Sequence, residues 1–157
     1  MTLAKHNLVD IVQTVAKLHE PLASTRQIQI ELKDADKEFI AETDKQYFHQ
    51  IISNLLSNAV KFSPDGNMVY ISFADSGNTI TVSVIDEGVG ISAGDQKRLF
   101  SGYQKITSQS TGEEQSTGFG LAIVSRLVEK LQGKIKVDSA PNKGTTISVE
   151  IQKNVSA

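Results

Sequence analysis

Between Met68 and Ile85 apolar side chains fall on every second residue, and the pattern is broken once, by Asp75-Ser76-Gly77-Asn78. Val69, Ile71 and Phe73 alternate before the break, and the alternation resumes over Ile80 to Ile85. Two period-two runs joined by turn chemistry predict an antiparallel hairpin. Any fold for this chain must be built around that ribbon.

The remaining patterns surround it with helices. Leu8, Ile11, Val12, Val15, Leu18 and Leu22 recur at helical spacing and predict an amphipathic helix over roughly 7–24. Ile28 to Leu32 alternates as a strand, and Lys37 to Ala41 reads as a short partner strand. Thr43 with Gln46 three residues later makes a capping box, opening a helix that should run to about Phe62. Ser63-Pro64-Asp65-Gly66 stops it. A short helix is expected around Asp95 to Phe100. From Ser101 to Thr117 apolar anchors almost vanish, as in a lid or binding loop or a disordered segment. Gly118 to Leu131 reads as a helix with Gly133 as its C-cap. Lys134 to Asp138 and Thr145 to Ile151 read as two strands joined by a turn over Ala140 to Gly144. The order helix, two strands, helix, hairpin, loop, helix, hairpin predicts an α+β fold with helices on one face of a mixed, mostly antiparallel sheet. It does not match the repeated strand–helix–strand units of a doubly wound fold.

Length and composition narrow the function classes. The 157 residues suit one domain with a core of its own. A net charge of −2 gives no electrostatic footprint for nucleic acid. The longest apolar runs are far short of a membrane span, and Met1 to His6 lacks the order of a signal peptide. With no cysteine, thiol nucleophiles, disulfides and Cys-based zinc sites are excluded. The expected setting is cytoplasmic.

Four groups of residues could carry chemistry. Asn54, Asn58 and Lys61 stand at i, i+4 and i+7, and about 100° per residue stacks them in one stripe beside the core-facing arc of Ile51, Ile52, Leu55, Leu56, Ala59 and Phe62. An amide oxygen can ligate Mg²⁺ and a Lys ammonium suits phosphate. The stripe could equally be a polar face bordering a core, although Asn is a poor mid-helix residue. Asp86-Glu87-Gly88-Val89-Gly90 follows a strand; a carboxylate there can accept from an exocyclic amine such as that of adenine, and the glycines let backbone approach a flat ring. The same pattern also makes a plain turn. Gly118-Phe119-Gly120-Leu121 opens a helix whose N–H groups could hold phosphate, or it is a loop hinge. Lys143-Gly144-Thr145-Thr146 enters the last strand, at the least as a hairpin turn. No Gly-x-x-x-x-Gly-Lys-Ser/Thr loop is present, and the dinucleotide fingerprint does not apply.

Taken in order, these motifs are more informative than any one of them. Asn54-x-x-x-Asn58-Ala59-x-Lys61-Phe62, Asp86-x-Gly88-x-Gly90, Leu99-Phe100, Gly118-x-Gly120-Leu121 and Gly144-Thr145 resemble the N, G1, F, G2 and G3 boxes of histidine-kinase ATP-binding domains. The resemblance runs from about Asn7 to Ile151.

It implies the Bergerat fold, a two-layer α/β sandwich shared with gyrase-type ATPases, Hsp90 and MutL, with an ATP lid over about 101–119. Asp86 would bond the adenine amine, and Gly88 and Gly90 would shape the base pocket with Phe62, a position that is Tyr in many relatives. Asn58 would hold Mg²⁺, with Asn54 beside it. Lys61 and Lys105 would contact phosphate, Gly118 and Gly120 would hinge the lid around Phe119 and Leu121, and Thr145 completes the last box. The cofactors implied are ATP and Mg²⁺. The partners implied are a dimerisation domain carrying the phosphoacceptor histidine and a downstream response regulator. The chain itself is expected to be a monomeric single domain, 1–157, that starts after an acceptor domain and belongs to a cytoplasmic or membrane-anchored parent.

Two departures stand out. Ser116 replaces a glycine that commonly opens the second glycine-rich box, which should alter lid mobility without loss of binding. His19-Glu20-Pro21-Leu22 superficially resembles an acceptor motif, but it lies inside the first amphipathic helix and reads as a surface histidine. His6 and His49 read as structural or surface residues. Asn54 stands where hydrolases of this fold carry a water-orienting Glu, which disfavours hydrolysis. A degenerate ATP sensor or scaffold and an anti-sigma-factor-type serine kinase remain as alternatives.

Overall fold

The computed structural model describes residues 1–88, 119–139 and 142–155. Among these are seven strands and three helices: β1 (Ala4–Asn7), α1 (Leu8–Thr25), β2 (Gln29–Leu32), β3 (Ile40–Thr43), α2 (Lys45–Phe62), β4 (Met68–Asp75), β5 (Thr79–Asp86), α3 (Phe119–Lys130), β6 (Lys134–Ser139) and β7 (Thr145–Gln152). The expected short helix at 95–100 and the lid lie outside the described residues.

A five-stranded sheet has the order β2-β4-β5-β7-β6. Its β2–β4 pair is parallel and its other three pairs are antiparallel, so the sheet is mixed as expected. The hairpin of β4 and β5 sits at its centre. Register aligns Val69, Ile71 and Phe73 with Asp86, Val84 and Val82, and these in turn with Thr145, Ile147 and Val149. Every one of them is buried, on the face that the helices cover. Ser72, Ser83 and Ser148 alternate onto the other face, where Ser83 and Ser148 share a 2.8 Å hydrogen bond. One wet face and one apolar face produce the clean alternation seen in the sequence.

The helices supply the second layer. Leu8, Val12 and Val15 of α1, Phe48, Ile52, Leu55 and Leu56 of α2, and Leu121, Val124 and Val128 of α3 are all at most 2% exposed. The result is the α+β two-layer sandwich that the resemblance implies.

Several local expectations are corrected. The strand expected over Lys37 to Ala41 forms at Ile40–Thr43, and its partner is β1, which short-range patterning does not reveal. The N-cap of α2 is Asp44, whose Oδ1 accepts from the Tyr47 N–H at 3.0 Å; Thr43 ends β3 instead. A carboxylate at this position also meets the positive end of the helix dipole. At the end of α3 the left-handed residue is Gln132 (φ 58), not Gly133. The Gly133 and Gln132 N–H groups donate to Val128 and Glu129 carbonyls, a Schellman ending. Gly133 is required for space, because a Cβ there would lie 2.3 Å from the Glu150 carbonyl oxygen. Gln27 (φ 58) ends α1 in the same way.

Candidate active site

Asp86 is the last residue of β5, and the period of the strand puts its side chain in the helix-facing row, after Val82 and Val84. It is 8% exposed. The Gly88 N–H donates to Asp86 Oδ1 at 2.8 Å, closing an Asx turn. Burial raises the pKa of this carboxyl from 3.8 to about 6, and the N–H groups of Gly88 and Thr145 oppose the rise by favouring the charged form.

Three backbones converge here. A Cβ on Gly88 would stand 2.2 Å from the Phe62 carbonyl oxygen and 2.9 Å from Asp86 Oδ1. Gly144, at φ +75, would put a Cβ 2.2 Å from the Asp86 carbonyl oxygen, and its own N–H donates to Gly88 O at 3.1 Å. Only glycine lets the end of α2, the turn after β5 and the turn before β7 approach so closely. On the far side of Thr145, Ser139 Oγ donates to Gly144 O at 2.9 Å and lies 2.8 Å from Thr145 Oγ1.

A cleft opens over this corner. Leu55, Ala59, Phe62, Val84, Leu121 and Ile147 give it apolar walls, and Asn58, Asp86 and Thr145 give it polar points. Apolar walls with a few convergent polar groups suit a flat heteroaromatic ring. Of the residues named from sequence, the fold thus gathers Asn58, Phe62, Asp86, Leu121 and Thr145 around one cleft, with Gly88 behind Asp86. Asn54 and Lys61 are half-buried on the same stripe of α2 but do not line that cleft. Phe119 and Gly120 are the first two residues of α3, whose opening N–H groups lack intrahelical partners. Gly90, Lys105 and Gly118 lie outside the described residues. No group of three or more His, Asp or Glu side chains that could hold a metal occurs among the described residues. His19 is half-buried, with Nε2 3.0 Å from Ser53 Oγ on α2, so it packs between helices of this domain rather than standing free on the surface.

The sequence does not single out two residues that shape the site, Ser139 described above and Arg26. Arg26 donates to the Val60, Lys61 and Ser63 carbonyls and pairs with Asp65 at 2.9 Å. Its guanidinium thereby satisfies the carbonyls left over at the C-terminus of α2, next to Lys61 and Phe62. An Arg just after a helix is too common to single out without the fold.

Residues 43–155 match the family described as histidine kinase-, DNA gyrase B- and HSP90-like ATPases, and the chain belongs to that family. Within it, the likeness is to sensor histidine kinases. The chain is 32% identical to the heme sensor protein HssS of Staphylococcus saprophyticus over 92% of its length and 31% of the relative's. It is 31% identical to sensor histidine kinase WalK of Bacillus subtilis over 89% of its length and 24% of the relative's. It therefore spans less than a third of these relatives. The catalytic domain of histidine kinase ThkA superposes with a TM-score of 0.81 at 26% identity, over 98% of this chain and 97% of that one. A mycobacterial sensor histidine kinase, MprB, shares the fold at a TM-score of 0.78 and 22% identity, over 99% of this chain and all of that one. No helix among the described residues is long and apolar enough to cross a membrane.

Proposed function

We propose that residues 7–151 form a single catalytic domain that binds Mg-ATP with its base in the cleft at Asp86. Within the full-length protein, this domain hands the γ-phosphate to a histidine on a separate dimerisation domain for relay to a response regulator. The observation that carries the reading is a carboxylate in the helix-facing row of the sheet, in a cleft whose other walls are apolar apart from Asn58 and Thr145. A buried acceptor with no cation beside it among the described residues is suited to a neutral donor such as the adenine amine. A related full-length kinase, ShkA, has been solved with AMPPNP; it shares the fold with a TM-score of 0.75 at 24% identity, over 99% of this chain and 32% of that one.

In this reading Gly88 and Gly90 shape the base pocket, and Phe62 and Leu121 wall it. Asn54, Asn58, Lys61 and Lys105 take the phosphates together with Gly118 and with the N–H groups of Phe119 and Gly120 that open α3. The donor set fits a shared metal: Mg²⁺ takes oxygen ligands and is usually held by one or two protein groups plus substrate phosphates. Asn58 offers an amide oxygen at the cleft, and no carboxylate cage competes for the ion among the described residues. When bound, the metal would neutralise charge on the phosphates, while the chain's own part is to position them in line with the acceptor.

The test is phosphoryl transfer from labelled ATP to a supplied dimerisation domain carrying its histidine. Label on that histidine, dependent on Mg²⁺ and absent from a His→Ala acceptor, supports the proposal. Nucleotide binding with no transfer to any acceptor would make the domain an ATP sensor instead.

A further inference from the structure

We propose that Ser139 is a specificity-positioning residue: it fixes the direction of the Thr145 hydroxyl so that this group offers the cleft only lone pairs, selecting a base with an amine and rejecting one with a carbonyl. The inference rests on the reading that the cleft holds a nucleotide base.

Ser139, Thr145 and Asp86 stand side by side across three strands, since Thr145 pairs with Ser139 on β6 and with Asp86 on β5. All three side chains fall in the helix-facing row. Ser139 has one hydroxyl proton. Its contact with the Gly144 carbonyl, at 2.9 Å, uses that proton, because a carbonyl can only accept. At the second contact, 2.8 Å from Thr145 Oγ1, Ser139 must therefore accept, and Thr145 must donate. The Thr145 proton then points along the sheet, away from the cleft that Thr145 lines. What Thr145 presents to the cleft is an acceptor, beside a second acceptor in the Asp86 carboxylate. An exocyclic amine has two protons to give and satisfies both. A carbonyl at the same place on the ring would set oxygen against oxygen. With Ser139 absent, the Thr145 hydroxyl can rotate and donate, and a carbonyl becomes tolerable.

The experiment compares non-hydrolysable ATP and ITP analogues, titrated by calorimetry into wild type, Ser139→Ala, Ser139→Thr and Thr145→Val, with thermal unfolding confirming that each variant is folded. Wild type should prefer the adenine nucleotide. Ser139→Ala should shrink that preference about five- to tenfold, partly through tighter ITP binding, which a merely damaged pocket would not give. Ser139→Thr keeps the hydroxyl and should keep the preference. Thr145→Val leaves no hydroxyl to turn, and adding Ser139→Ala to it should change the ratio no further. An unchanged ratio in folded Ser139→Ala overturns the inference while leaving the nucleotide site intact. Failure of wild type to bind either nucleotide overturns both.

Discussion

Asp86 and Thr145 face each other across the β5–β7 ladder, at the end of rows filled by Val82, Val84, Ile147 and Val149. The fold thus exchanges two core positions for polar ones at one corner of the sheet. Burying a carboxylate with no paired cation among the described residues opposes folding, so the corner points to a ligand rather than a stability role.

Replacing Asp86 by Asn keeps an acceptor for the Gly88 N–H and removes the charge. Affinity for an ATP analogue should fall on the order of 100-fold, since hydrogen bonds to charged groups are the stronger kind. The unfolding midpoint at pH 7 should hold or rise. Undiminished affinity in this variant would remove the base from this cleft.

The pH dependence follows from the same carboxyl. Its folded pKa of about 6 lies above the ordinary 3.8, so the folded state holds the proton longer. Its contribution to stability is greatest below pH 4 and is lost as pH rises through 6, a difference of ~3 kcal/mol. His19 acts oppositely: burial and neighbouring His49 lower its pKa, so its contribution is lost as pH falls. Urea midpoints of wild type and Asp86→Asn should isolate the Asp86 effect. The variant should gain on wild type between pH 4.5 and 7, whereas nucleotide affinity of wild type should rise over the same interval.

Two glycines separate crowding from backbone strain. Gly88→Ala forces a Cβ into the Phe62 carbonyl and should cost about 2–3 kcal/mol along with nucleotide binding. Gly77→Ala meets nothing within 4 Å and is strained only by φ +94, so it should cost about 1 kcal/mol and leave binding untouched. Chemical denaturation and calorimetry on both variants check the contrast.

Arg26→Ala should destabilise by about 2–3 kcal/mol, because several half-buried carbonyls at the end of α2 lose a charged donor. Arg26→Lys should recover little, since an ammonium cannot reproduce the fork. Equal midpoints for all three proteins would show that water caps this helix end as well as Arg26 does.

Asn58→Ala should weaken binding of the nucleotide about tenfold with Mg²⁺ present and much less in EDTA. Equal losses in both conditions would remove Asn58 from the metal.

Much of this architecture is legible in the sequence because it is local. The β4–β5 alternation, the heptad-like spacing of α2 and the stop at Ser63-Pro64 each follow from contacts within a few residues. β1 was not legible: Ala4–Asn7 is four residues with no alternation, and it becomes a strand only by pairing with residues 40–43. The caps at Asp44 and Gln132 each stand one residue from the expected Thr43 and Gly133 for a related reason. Local preference allows two neighbouring residues at each of these places, and packing of the chain chooses between them. At the site, Asp86 and Gly88 could be proposed from a strand followed by Asp-x-Gly. Ser139 and Arg26 could not, since a lone Ser in a strand and a lone Arg after a helix gain their roles only from what the fold brings beside them.

The most direct test of the central claim is calorimetric titration of the chain with a non-hydrolysable ATP analogue, with and without Mg²⁺, in wild type and Asp86→Asn. Mg²⁺-dependent binding that Asp86→Asn weakens on the order of 100-fold is the predicted result. A folded wild type that binds no nucleotide, or an Asp86→Asn variant that binds as well as wild type, would contradict it.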